Sequence, residues 1–162
     1  MNKKKFIAII FVLIIVIVLF VTVFKKQDPA KYVEENNVSE TELIKEFTSE
    51  EYGNIYLYAG NEYGGFIHLL IRHSGDYFLG HEKKQIESQF PEKTTGKQII
   101  DGIEEVIDEG HKVESNKDKN YVLEDEIKLN GEEADYRLVI KVENNSVVTF
   151  FKIDPNLNKN EN

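Results

Sequence analysis

A long apolar run near the start of the chain most constrains its fold, because such a segment cannot remain exposed to water. The run extends from Phe6 to Phe24, is broken only by Thr22, and has lysines on both flanks. At roughly 1.5 Å per residue, a helix of this length spans about 28 Å, close to the hydrocarbon thickness of a bilayer. The sequence therefore predicts an N-terminal transmembrane anchor over residues 1–26.

A cleaved signal peptide is the alternative interpretation of this run. Signal peptides have a shorter apolar region and a cleavage site of small residues, which VTVFKKQDP does not provide. Lys3, Lys4 and Lys5 favour an N-terminus that stays in the cytoplasm under the positive-inside rule. We therefore expect a single-pass protein of the cell membrane with an extracytoplasmic C-terminal domain.

The rest of the chain is strongly acidic. The whole chain has 29 Asp and Glu residues against 20 Lys and Arg, a formal net charge of −9, and five of the lysines flank the apolar run. Such a surface repels polyanions, which excludes tight sequence-independent nucleic-acid binding driven by counterion release. Any RNA would have to bind at a local basic patch.

Residues 27–38 are predicted to be a polar linker, and several short elements follow. Ser39 and Glu42 have capping-box spacing, and the apolar residues after them predict a short helix that ends near Tyr52-Gly53. Residues 54–59 resemble a short strand, and FIHLLIRH resembles one or two helical turns. Thr94 or Thr95 then caps an amphipathic helix that continues to about Glu109.

The C-terminal part is predicted to be an antiparallel meander of three strands. Turns are expected at Asn130-Gly131 and at Asn144-Asn145, because Asn-Gly is a strong two-residue hairpin signal. The expected fold class is therefore α+β, with a transmembrane helix followed by helices packed on a C-terminal antiparallel β-meander. This domain would occupy residues 39–154, and residues 155–162 would form a disordered tail.

Histidines and cations cluster in one short stretch. His68, His73 and His81 lie there with Arg72, Lys83 and Lys84. Imidazole titrates near neutrality, so two imidazoles can act as base and acid across one bond without a metal or cofactor. On a helix, His68 and Arg72 share a face and could bind one phosphate. This is the chemistry of a transphosphorylating ribonuclease.

The order of these motifs resembles the bacterial EndoU ribonuclease domain. HLLIRH, GHEKK, SQFP, a helix that opens with threonines, a glycine-turn hairpin and VVTFF follow one another over roughly residues 60–155. The resemblance implies a metal-independent endonuclease of the small ribonuclease toxin fold group. It also implies single-stranded RNA as the substrate, a 2′,3′-cyclic phosphate as the product, and no cleavage of DNA. An immunity protein is a candidate partner, because family members often form the C-terminal part of toxins.

The resemblance also implies roles for particular residues. His68 and His81 would be the two catalytic histidines and Lys84 the catalytic lysine. Thr149 would hydrogen-bond a base edge and Phe151 would stack on a base, while Arg72, His73 and Lys83 would contact the substrate.

Two alternatives remain open from the sequence. The first is a non-catalytic, membrane-tethered binding domain, whose acidic surface would meet a cationic partner. The second is a zinc site built from His68, His73, His81 and Asp76, although the nearby lysines would repel a dication. We expect no metal and no other cofactor.

Overall fold

The computed structural model describes residues 28–77, 88–113 and 119–154, which contain three helices and six strands. In chain order these elements are α1 (Pro29–Glu35), β1 (Leu43–Ser49), β2 (Gly53–Tyr58), α2 (Phe66–His73), α3 (Gly96–Glu109), β3 (His111–Lys112), β4 (Asn120–Leu129), β5 (Glu132–Lys141) and β6 (Ser146–Lys152).

The strands form one mixed sheet in the order β1-β2-β6-β5-β4-β3. Neighbouring strands are antiparallel except β2 and β6, which run parallel and share the single registered pair Tyr56 and Ser146. By contrast, β4 and β5 pair along their whole length, from Asn120 opposite Lys141 to Leu129 opposite Glu132. The sheet is therefore continuous on each side of the β2–β6 boundary and weakly paired across it.

The two predicted turns of the C-terminal meander are confirmed. Asn130 and Gly131 have φ angles of 46° and 88°, and both must be positive in the turn type that best joins two twisted strands. Asn145 has a φ of 51° in the turn before β6. Asparagine and glycine tolerate this left-handed conformation better than other residues, which explains their positions here.

Helix α3 contributes more residues to the core than either of the other two helices. The hydroxyl of Thr95 accepts a hydrogen bond from the amide of Gln98, and the side chain of Gln98 accepts one from the amide of Thr95. This capping box satisfies amides of the first turn. The buried stripe of the helix packs in one cluster with apolar residues of the sheet, and its members are Ile99, Ile100, Ile103, Val106 and Ile107.

The prediction of a helix after Ser39 is wrong, because this segment forms strand β1. Phe47 lies opposite Ile55 in an antiparallel hairpin with β2, and both residues are buried. The Ser39 hydroxyl hydrogen-bonds the Thr41 hydroxyl and caps no helix. Pairing with β2 outweighs the weak helical pattern, since tertiary contacts routinely override local propensity.

The predicted α+β class is confirmed, but the predicted architecture within that class is wrong. The sheet is not a three-stranded C-terminal meander beneath preceding helices, because the β1–β2 hairpin and the short strand β3 also join it and make it a mixed six-stranded sheet. Within residues 28–77, 88–113 and 119–154, no helix is long and apolar enough to cross a membrane. The apolar run from Phe6 to Phe24 lies outside these ranges, so the expected localisation stays a prediction.

The predicted linker contains ordered structure that packs on the domain. Within residues 27–38, Pro29–Glu35 form helix α1, and the side chains of Ala30 and Val33 are buried in the core. The carboxylate of Asp28 accepts hydrogen bonds from the amide of Ala30 and from the amides of Gly96 and Lys97. One side chain therefore caps the N-termini of both α1 and α3.

Helix α2 begins where β2 and β6 stop pairing. The amide of Gly65 donates to the carbonyl of Val148 in β6 at 3.0 Å, and the amide of Ile67 donates to the carbonyl of Ala59, just after β2, at 2.8 Å. Leu69 and Leu70 are buried in the core. The first turn of α2 is thus bonded to both strands, and this places the polar residues of the helix beside β6.

A β-bulge in β6 sets the direction of its side chains. Val139 pairs with Thr149 and Ile140 pairs with Val147, so Val148 is an extra residue opposite none. A bulge of this kind interrupts the strict alternation of a strand. Val147 and Phe150 are buried on the core side as a result, whereas Thr149 and Phe151 are only partly buried.

Candidate functional site

A pocket of about 340 Å³ lies between α2 and the C-terminal half of β6. Five of the eight residues predicted from the sequence line it, and they come from one helix and one strand. The lining residues are His68, Arg72, His73, Ser88, Arg137, Thr149, Phe151, Lys152, Ile153 and Asp154. The structure therefore brings together His68, Arg72, His73, Thr149 and Phe151, which are far apart in the chain.

The other three predicted residues, His81, Lys83 and Lys84, lie outside the described residues. Their proposed roles as second catalytic histidine, substrate contact and catalytic lysine stay predictions. Ser88, the first described residue after them, lines the pocket.

Backbone carbonyls orient both imidazoles in the pocket. Nδ1 of His68 lies 2.8 Å from the carbonyl oxygen of Glu62, and Nδ1 of His73 lies 3.0 Å from that of Ser88. A carbonyl oxygen only accepts hydrogen bonds, so Nδ1 must carry the proton in each ring. In the neutral form of each imidazole, Nε2 is consequently the basic nitrogen.

The two imidazoles differ in their surroundings. The His73 ring lies between aromatic groups, stacked on Phe151 with centroids 5.6 Å apart and edge-on to Phe90 at 6.0 Å. Its Nε2 lies 3.4 Å from the Thr149 hydroxyl, which can donate a weak hydrogen bond to it. The His68 ring meets His73 edge-on at 5.6 Å, and its Nε2 has no hydrogen-bond partner among the described residues. His68 is therefore the better placed of the two to accept a proton from a ligand.

Burial favours the neutral form of both histidines. Burial is the main reason that the pKa of His73 is lowered to about 4; the nearby His68 and Arg72 also lower it, and the hydrogen bond to Ser88 opposes them. The pKa of His68 is also lowered, first by burial and then by the positive charge of Arg72, while the bond to Glu62 opposes the change. At neutral pH both rings can serve as bases in the unliganded protein, but neither is a ready proton donor.

Three cations surround the imidazoles, and they differ in availability. Arg137 is paired with Glu124, with 2.6 Å from Nε to the carboxylate, and its guanidinium lies 6.0 Å from the centre of the Phe151 ring. Lys152 is paired with Glu132. Arg72 has no acidic partner among the described residues, which leaves its guanidinium available to an anion. The pocket therefore provides a basic nitrogen beside an available cation.

The sequence did not indicate the other five residues that line the pocket, which are Ser88, Arg137, Lys152, Ile153 and Asp154. Arg137 lies opposite Phe151 in the β5–β6 ladder, so the hairpin register could have indicated it. That register depends on the bulge at Val148, and none of the residue types in VVTFF indicates a bulge. Ser88 contributes its backbone carbonyl, for which the sequence contains no signal.

The zinc alternative has no support from the described part of the chain. Within it, no group of three or more His, Cys, Asp or Glu side chains is placed to hold a metal ion. Asp76, one of the suggested ligands, accepts a hydrogen bond from the amide of Lys93 instead. His81, another suggested ligand, lies outside the described residues.

Comparison with known proteins adds no assignment. No protein-family model matches the chain, and no curated protein matches it. The functional argument therefore depends on the pocket itself.

Proposed function

We propose that the chain is an endoribonuclease that cleaves single-stranded RNA by transphosphorylation, without a metal ion, to a 2′,3′-cyclic phosphate. The observation that carries this proposal is the meeting of His68, His73 and Arg72 in one pocket, next to Thr149 and Phe151. The reaction needs a base for the 2′-hydroxyl, positive charge near the phosphorus, and an acid for the leaving 5′-oxygen.

His68 is the proposed general base. Its Nδ1 is held by the Glu62 carbonyl, which directs the basic Nε2 away from the backbone. Because the pKa of His68 is lowered, the ring is already neutral at pH 7 and needs no prior deprotonation. The 2′-oxygen would attack the phosphorus as its proton passes to Nε2, and the bond from phosphorus to the 5′-oxygen would break.

Arg72 is the proposed electrostatic group. Its guanidinium can donate two parallel hydrogen bonds to phosphate oxygens, and charge developing on them in the transition state strengthens these bonds. Arg137 and Lys152 add positive charge, but their pairing with Glu124 and Glu132 makes them weaker anion ligands than Arg72.

Two histidines, His73 and His81, are candidates for the donor that protonates the leaving 5′-oxygen. His73 has a pKa of about 4 and is neutral at pH 7 in the unliganded protein, so it is a poor acid unless a bound phosphate raises its pKa. His81, predicted from the sequence as the second catalytic histidine, is the alternative donor. His73 contributes in either case by stacking on Phe151, which holds the aromatic wall of the pocket.

Cleavage of a labelled RNA by the purified full-length chain in EDTA tests this function. We expect a 2′,3′-cyclic phosphate from single-stranded RNA and no cleavage of the matching DNA, which lacks the attacking hydroxyl. His68→Ala should lower kcat/KM at least about 100-fold, the usual contribution of a general base. Arg72→Gln should lower it by a similar factor of about 100.

Three further variants complete the test. His111→Ala is the matched control, because His111 is exposed in β3, which is three strands away from β6 in the sheet, and its activity should equal that of the unmodified chain. His73→Ala and His81→Ala identify the proton donor when they are assayed on a substrate with a good leaving group, which needs no protonation. The variant that lacks the donor should retain the more activity of the two on this substrate. Absence of cleavage by a folded chain, or full activity of His68→Ala, would overturn the proposal and favour a binding domain without catalysis.

A further inference from the structure

A second pocket, of about 650 Å³, lies on the other side of the loop that holds His68. Its walls come from the loop before α2, the end of β2 and the start of β6, and they include Tyr58, Asn61, Tyr63, Asn144 and Ser146. None of these residues lines the pocket that contains His68. The two pockets are nevertheless neighbours, because Val148 lines one and Thr149, the next residue in β6, lines the other.

A tight turn links the two pockets directly. Asn61 and Gly64 exchange backbone hydrogen bonds, with the amide of Asn61 donating at 2.9 Å and that of Gly64 at 3.4 Å. The two residues at the corner of this turn are Glu62 and Tyr63. The carbonyl of Glu62 fixes His68 in the first pocket, while Tyr63 lines the second with 76% of its surface exposed.

The glycines beside the turn keep this arrangement tight. Gly60 and Gly65 have φ angles of 68° and 86°, which side-chain-bearing residues rarely adopt. A Cβ atom on Gly60 would lie 2.0 Å from the carbonyl oxygen of Gly64. The backbone thus passes close to itself at this point, and the turn is held as a defined wall between the pockets.

The chemistry of the second pocket differs from that of the first. It offers the aromatic rings of Tyr58 and Tyr63 together with the neutral amides of Asn61 and Asn144. Its charged lining residues are occupied, since Glu40 accepts a hydrogen bond from Asn61 and Lys141 is paired with Glu143. Rings and neutral amides are the groups that bind nucleobases, through stacking and through hydrogen bonds to base edges.

We propose that the second pocket binds a nucleobase of single-stranded RNA, one nucleotide from the phosphate held at Arg72 and His68. The inference rests on the proposed function and extends it by separating a cationic phosphate pocket from a base pocket whose charged residues are already paired. Tyr63 provides the stacking surface, and the side-chain amide nitrogen of Asn144, whose oxygen accepts from Ser146, donates to the edge of the base. Asn61 bonds Glu40 and the amide of Tyr63 and so holds the turn. The shared turn sets the distance between the base and the cleaved bond.

Binding of a 2′-fluoro oligonucleotide, which lacks the attacking hydroxyl, tests this subsite separately from catalysis. We expect Tyr63→Ala in the full-length chain to weaken binding about tenfold, the usual loss when a stacking ring is removed. Tyr63→Phe retains the ring and should bind within about twofold of the unmodified chain, as should His111→Ala. Tyr63 is mostly exposed, so its replacement should leave the fold intact, which circular dichroism verifies.

An abasic nucleotide moved along the oligonucleotide identifies the bound base. An abasic nucleotide at one position, next to the cleaved bond, should lower the affinity of the unmodified chain about tenfold. The same abasic nucleotide should not lower the affinity of Tyr63→Ala any further. If RNA is cleaved but neither change affects binding, the subsite is wrong and the nuclease stands. If RNA is not cleaved but binding depends on Tyr63, the nuclease is wrong and the subsite stands. If the oligonucleotide does not bind, both are overturned.

Discussion

Two backbone carbonyls determine what the imidazoles of the pocket can do. The carbonyls of Glu62 and Ser88 select the Nδ1-protonated form of His68 and His73. Of the two rings, His73 is the more strongly shifted, with a pKa of about 4. Burial makes these neutral rings costly to protonate, although the carbonyl bonds oppose that effect, and this links the pocket to the stability of the whole protein.

The stability of the protein should therefore fall in acid partly because of His73. Its pKa in the folded protein lies below the ordinary value of 6.5, so its contribution is complete above pH 6.5 and is lost as the pH falls toward 4. The expected loss between these limits is about 3 kcal/mol of unfolding free energy. Urea unfolding from pH 7.5 to pH 4 measures it.

His73→Phe is the comparison for this measurement, since the variant keeps an aromatic ring against Phe151 but cannot titrate. Its unfolding free energy should decrease less with acid than that of the unmodified chain. Carboxylates titrate in both proteins and cancel in the difference. Equal pH dependence in the two proteins would show that His73 is not held neutral.

At the scale of single residues, the sequence predicted half of the residues that line the pocket containing His68. Helical spacing placed His68 and Arg72 on one face, and both line the pocket. Thr149 and Phe151 followed from the resemblance and also line it, but regular alternation would have put Thr149 beside Val147 in the core. The extra residue at Val148 moves it to the pocket. A bulge depends on pairing with β5, which a single strand does not reveal.

At the scale of elements, one carboxylate joins two helices. Asp28 accepts hydrogen bonds from Ala30 in α1 and from Gly96 and Lys97 in α3, with distances of 2.9, 3.1 and 3.2 Å. A Cβ atom on Gly96 would lie 2.6 Å from the amide nitrogen of Ala30, so the two helix starts are in close contact. Helix α1 is consequently part of the folded domain.

Asp28→Ala should destabilise the protein by about 2 kcal/mol, because N-caps contribute about 1 kcal/mol each. Asp101→Ala is the matched control, since Asp101 forms an exposed ion pair with Lys97 one turn along α3. Such pairs contribute at most about 0.5 kcal/mol. Urea unfolding at pH 7 compares the two variants, and an equal loss for both would contradict the double-cap interpretation.

The elements that the sequence predicted well are those with strong local signals. Helix α3 has a capping box and a complete apolar stripe, and β4 to β6 have alternation and asparagine turns. Strand β1 was missed because it buries few side chains and its apolar spacing fits a helix. Its conformation comes from its partner β2, so the information lies outside the segment.

At the scale of the molecule, charge is distributed unevenly. The chain carries a formal net charge of −9, yet Arg72, Arg137 and Lys152 all line one pocket. The acidic surface opposes general binding of polyanions, and under the proposed function the cationic pocket would attract a phosphate locally. The sequence indicated this contrast, but the pairing of Arg137 and Lys152 with acidic residues required the folded sheet.

Strands β2 and β6 share a single registered pair, so the boundary between them is a weak seam in the sheet. We expect this seam to divide the sheet into two cooperative units. One unit is the β1–β2 hairpin and the other is the ladder from β6 to β4. Amide hydrogens of β1 and β2 should therefore exchange with solvent faster than those in the middle of β4 and β5, as mass spectrometry of deuterium uptake would measure. The second pocket lies along this seam, because Tyr58 of β2 and Ser146 of β6 both line it, so a ligand bound there should act as a clamp and slow exchange in the hairpin. Uniform exchange across the sheet would show that the seam opens only with global unfolding.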